Sequence, residues 1–140
     1  MLYKSSKQIM DSTSHELKPE FTFDTDGERM VWRQYFEDGT RNTRYIDKPF
    51  YSCLIYHVHY IEDKNPGRLQ QLVDSGELYK YLMDLHERVE DAVTAQKDLW
   101  VGNDEKYKAI VLNDPVGAAG IVNMYEMQAR EVVYEAMIYD

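Results

Sequence analysis

Two apolar series near the C-terminal end limit what this chain can become. Leu78, Leu82, Leu85, Val89, Ala92 and Gln96 follow one another in alternating steps of four and three. So do Ala118, Val122, Tyr125, Ala129, Val132, Ala136 and Tyr139. Such spacing lays one continuous stripe along an α-helix. Before the first series, Asp74 to Glu77 has capping-box-like spacing. The second opens at Asp114-Pro115, with proline suited to a first helical turn. Gly117 and Gly120 weaken its opening turns by roughly 1 kcal/mol each relative to Ala, while Ala118, Ala129 and Ala136 permit a neighbouring helix to approach closely. The two stripes predict an antiparallel pair, with Leu82 and Val132, both mid-stripe, buried in one core. The connection holds Tyr107, Ile110 and Val111, which fit a short helix or packed turn.

The N-terminal third has the other periodicity. Phe21 and Phe23 alternate with polar residues, "RMVWRQYF" is rich in β-formers, and "DTDG" and "EDGT" are turn signals. Strands are expected at about 20–24, 29–36 and 41–46, with Trp32 as a core anchor. "DTDGE" is no calcium loop: with Gly27 at the sixth position, Thr22 and Arg33 occupy the first and twelfth, where ligands belong. Residues 1–18 are polar and aperiodic and predict a loose or lightly docked arm. The expected fold class is therefore α+β, mainly helical: an N-terminal antiparallel β-hairpin or three-stranded meander, then a helical part with two long antiparallel helices. The 140 residues fit a single domain, with a β region at 20–47 and a helical region at 50–140.

In between lies "FYSCLIYHVHYIEDKNPG". As a helix it carries Tyr51, Leu54, Ile55, Val58 and Ile61 on one stripe. As a strand it sets Cys53, Ile55, His57 and His59 on one face, where two imidazoles share an ion readily. Periodicity does not separate the two. Elsewhere His15 and His86 are isolated, and no C-x-x-C or H-x-x-x-H spacing exists. The only cysteine, Cys53, sits in an apolar run and reads as a packing residue, and a chain without a disulfide suits a reducing compartment. The N-terminus has no apolar h-region and no run approaches the roughly 20 residues of a membrane span. A cytoplasmic location is expected.

Net charge is −9. Residues 1–19 carry about +1 and residues 41–70 about +2, with Arg41, Arg44, Lys48, Lys64 and Arg68 as the candidates for a basic stripe. Counterion release on nucleic acid needs a concentrated basic face, which this pattern does not supply. The acidic pairs Glu37-Asp38, Glu62-Asp63, Glu90-Asp91 and Asp104-Glu105 are adjacent in sequence, a spacing that makes side chains diverge. There is no G-x-S-x-G, P-loop or G-x-G-x-x-G. No catalytic, cofactor-binding or metal-ligating residue is assigned. Twelve tyrosines favour half-buried and interface positions.

"HYIEDKNPGRLQQLVDSGELYKYL" and "VNMYEMQAREVVYEAMIYD" resemble the TnpV family of small proteins carried by bacterial transposons and conjugative elements. The matching positions are Tyr60, Ile61, Pro66, Leu72, Ser75, Gly76, Leu78, Tyr79, Leu82, Ala129, Glu131, Val133, Ile138 and Tyr139, within about 50–96 and 114–140. Family members usually carry an arginine-containing "YGRMR"-like segment where this chain has "CLIYHVH". The resemblance implies a helix over 51–63, which turns His57 and His59 about 200° apart and removes the shared-metal geometry. It also implies a mobile-element setting. Joined to the acidic, tyrosine-rich composition, it gives the expectation of a non-enzymatic accessory protein that binds another protein. An inhibitor of a nucleic-acid-binding machine, of the anti-CRISPR kind, would suit such an element. A DNA-binding transposition or excision factor is the alternative.

Overall fold

The computed structural model describes residues 1–139. The chain is α+β and mainly helical, with strands first and helices after. It divides into two compact units, Met1–His86 and Glu87–Asp140.

In the first unit, β4 (Phe21–Asp24), β5 (Arg29–Tyr35) and β6 (Arg41–Asp47) form the expected antiparallel meander. Its turns use the chemistry the sequence announced. Asp24 Oδ1 accepts from the Asp26 amide, and Asp38 Oδ1 accepts from both the amide and hydroxyl of Thr40. The alternation sorts the side chains. Phe23, Met30, Trp32 and Ile46 are buried on one face, where Phe21 stacks on Trp32 at 5.2 Å between ring centroids.

The first 18 residues are not a loose arm. β1 (Leu2–Lys4) adds a fourth strand beside β4, giving the order β1-β4-β5-β6, while β2 (Gln8–Asp11) and β3 (Glu16–Pro19) form a separate hairpin. Two anchors hold this segment. Tyr3 is buried and donates to Glu62 Oε2 at 3.0 Å. Asp11 is buried and accepts from the Thr13 amide and hydroxyl and from Lys18 Nζ. A polar strand held by a partner about twenty residues away leaves no local periodicity.

The tie over 51–63 resolves as helix: α1 spans Lys48–Lys64, with Tyr51 leaving helical dihedrals so that the regular helix begins behind it. α2 (Pro66–Ser75) and α3 (Leu78–Gly102) follow. The capping-box reading of Asp74–Glu77 fails. Asp74 belongs to the last turn of α2, and Gly76, at φ 74°, is that helix's left-handed C-cap. Glycine is required there twice over, because a Cβ would also stand 2.6 Å from Phe21 Cε2. Leu69, Val73, Leu78, Leu82 and Leu85 complete the buried apolar set with Leu54, Val58 and Ile61.

In the second unit, the end of α3 is followed by α4 (Glu105–Ile110), the expected short helix, and by α5 (Pro115–Met137), capped by Asp114 through the Gly117 amide. Antiparallel pairing is visible in the cross-links: Arg130 reaches Glu90, whereas Tyr125 sits against Trp100 at 6.0 Å. The buried residues of α5 are Ala118, Ala129 and Val133. Val132, expected in the core, is 53% exposed, and Ala136 and Tyr139 are exposed as well. The predicted stripe repeats every 3.5 residues, and a straight helix drifts about 20° per heptad from that period. Two heptads past Ala118 the inward position has passed to Val133.

Candidate functional site

The two histidines of "YHVHY" part as the helix requires. His57 is buried and His59 exposed. His57 Nε2 lies 2.7 Å from the Tyr81 hydroxyl, which accepts from Arg68 Nη2 at 2.8 Å. This chain joins α1, α2 and α3. A few residues earlier Cys53 Sγ lies 3.6 Å from His86 Nδ1, with the Tyr51 ring edge-on to the same imidazole. A thiol beside an imidazole is the makings of a nucleophile. Here Cys53 is only 1% exposed, and a substrate has no approach to the sulfur. The thiol packs and His86 braces it.

The adjacent acids diverge, each pair leaving one member structural. Glu62 accepts from Tyr3 and Thr25, Asp38 closes the β5–β6 turn, Asp104 caps α4 through the Tyr107 amide, and Glu90 takes Arg130 in a two-pronged pair at 2.8 and 3.1 Å. The Tyr125 hydroxyl, donating to Asp104, holds that carboxyl below its usual range, and the Glu90 contact raises the Arg130 guanidinium above its own. Among the described residues no group of three or more His, Cys, Asp or Glu is placed to hold a metal, and no helix is long and apolar enough to cross a membrane.

The basic residues of 41–70 form no stripe. Arg41 and Arg44 have opposite parity on β6, Lys48 pairs with Glu28 at 3.7 Å, Lys64 with Asp63 at 3.8 Å, and Arg68 is spoken for by Tyr81.

What sequence reasoning missed lies on α5. Besides its buried row the helix carries a second apolar face: Val116, Met124 and Met127 are exposed within about 80° of one another, while the exposed Val132 borders the buried row, and Leu99 and Leu112 are exposed in the same unit. A groove of about 380 Å³ between α4 and α5, lined by Tyr107, Val111, Pro115, Ala118, Ala119, Val122 and Asn123, adjoins the opening turns. The signal was available. "PVGAAGIVNMYEMQA" is apolar nearly all round, and such a helix is normally covered on both sides.

No protein-family model, no curated protein and no solved structure matches the chain.

Proposed function

We propose that the chain is a non-enzymatic accessory protein of a bacterial mobile genetic element, resembling the TnpV family, and that it works by docking α5 onto another protein. The observation that carries the reading is the exposed group Val116, Met124 and Met127, which lie within about 80° of one another around a helix whose opposite side is already buried. Contiguous apolar exposure marks binding surfaces, and methionine adapts to a partner's contour. The surrounding charge selects the partner's chemistry. Residues 87–140 hold eleven acidic and five basic side chains, a surface complementary to a basic protein face. Proteins that handle nucleic acid present such faces, so an anti-CRISPR-like inhibitor of a nucleic-acid-binding machine fits this charge.

The test is capture from bacterial lysate with and without nuclease, using the parent and Met127→Glu. Support is a defined basic polypeptide retained after nuclease treatment, weakened by salt and lost with Met127→Glu. Capture that vanishes with nuclease overturns the reading in favour of the DNA-binding transposition or excision factor. A parent that is dimeric by light scattering, with Met127→Glu monomeric, assigns the face to a second copy instead.

A further inference from the structure

The outer face of the four-stranded sheet, away from Phe23 and Trp32, carries positive charge. The register aligns Lys4, Thr22, Arg33 and Thr43 in one row across β1, β4, β5 and β6. Two residues along β5, Tyr35 pairs with Arg41. With strands about 4.8 Å apart, Lys4 and Arg33 stand roughly 10 Å from one another, and Arg41 lies on the diagonal from Arg33. Long side chains from these three points converge over one spot. There the sheet and the β2–β3 hairpin enclose a concavity of about 410 Å³, lined by Leu2, Lys4, Lys18, Pro19, Thr22, Arg33, Tyr35 and Arg41.

The cations are not equivalent. Lys18 is committed to Asp11 at 2.7 Å. Lys4, Arg33 and Arg41 have no ion-pair partner among the described residues. Arg33 Nε is also buried without any hydrogen-bond acceptor. Buried donors are ordinarily satisfied, and an orphan calls for an explanation. Flanked by Thr22 and Thr43 in its row, Arg33 lines the concavity with a guanidinium donor unfilled. That is the state of a preorganised anion receptor.

We propose that this concavity binds a compact phosphorylated small molecule, up to a nucleotide in size. Two guanidinium forks and an ammonium match the oxygens of a phosphate or short polyphosphate. Leu2, Pro19 and Tyr35 offer an apolar wall to the organic part. A nucleic-acid strand fits less well. A long polyanion feels the whole protein at −9, and Asp24, on the same outward face one pleat from Thr22, blocks extension of the basic row. A small ligand feels only the local cations.

The experiment is isothermal titration of the full chain with pyrophosphate and with adenosine triphosphate, at fixed chloride ionic strength. Expected is binding of both probes, the nucleotide more tightly, weakened at least tenfold in Arg33→Gln and in Arg41→Gln and unchanged in Lys106→Gln, which lies on α4. Arg41 is exposed, so its variant keeps the test decisive even where Arg33→Gln disturbs the sheet. No binding by the parent overturns the proposal, as does equal binding by parent and Arg41→Gln. A single-stranded oligonucleotide bound more tightly than the nucleotide, with a steep salt slope, also overturns it, in favour of a polyanion surface.

Discussion

Residues 1–86 and 87–140 differ in how much of their apolar surface they hide. The first unit buries Phe23, Met30, Ile46, Leu54, Leu69, Leu78 and Leu82 completely. Its N-terminal strand segment and its helices cross-brace one another through Tyr3–Glu62, Ser6–Asp74 and Gln70–Lys4. The second, a smaller unit, fully buries Val89, Val93, Ala129 and Ile138, mostly small residues, and leaves Leu99, Leu112, Val116 and Met127 more than half exposed, whereas in the first the residues exposed to that degree, Met1, Leu17 and Phe50, lie scattered on three different segments. Burial of apolar area is the main favourable term in folding, about 25 cal/mol per Å². A unit that leaves this much uncovered retains driving force for association. On the reading proposed above, the first unit supplies the scaffold and the second the docking surface.

The largest expected effect tests the scaffold. Leu82 is 1% exposed, and Leu82→Ala should lose about 2–5 kcal/mol, the range for emptying that much core. Urea melts measure it. A variant as stable as the parent would remove the contrast between the units, since the first would then be no better packed than the second.

A smaller effect distinguishes the units by their tyrosines. Burial, reinforced by the hydrogen bond to Glu62, pushes the Tyr3 hydroxyl up to about 12. An unfolded tyrosine titrates near 10. The stabilisation is therefore complete below pH 10 and is lost as pH rises from about 10 towards about 12. Tyr125 in the second unit is also raised, by its hydrogen bond to Asp104. Alkaline unfolding followed by circular dichroism should be blunted in Tyr3→Phe and less so in Tyr125→Phe. Equal blunting would show that the two units are braced alike.

Legibility in the sequence followed the range of the interactions. β4 to β6 were readable because alternation and turn chemistry are local, and α3 to α5 because stripes and an Asp-Pro start are local too. β1 was not, since it pairs with β4 and Tyr3 is held by Glu62, and the β2–β3 hairpin was not because its anchor is a buried polar residue, Asp11, rather than an apolar alternation. "DSGE" fits a helix start and a helix stop equally well, and the left-handed backbone at Gly76 decides between them. The His57–Tyr81–Arg68 chain draws on three helices, and the cluster of Lys4, Arg33 and Arg41 on three strands. A search for basic runs along the sequence passes over charges that only strand register brings together.

The smallest stability effect carries the most functional weight, and it falls on Val132. A charge at a buried position with no partner cannot recover its hydration, which is why Val132→Asp would be severe if the 3.5-residue stripe held to the end of α5. The helix instead turns Val133 inward and leaves Val132 53% exposed. Aspartate there keeps its water, so Val132→Asp should change stability by no more than roughly 0.5 kcal/mol, as surface substitutions do. Val133→Asp, one residue on, should destabilise strongly by the same urea melt. The pair of variants locates the inward face to within a single residue. It also bounds the docking surface, because Val132 lies about 80° and 140° around the helix from Met124 and Met127, so Val132→Asp should fold as the parent does and still retain a partner captured through them. If Val132→Asp folds and loses capture, the docking surface wraps round α5 as far as the edge of its buried face and is not confined to the side that carries Met124 and Met127.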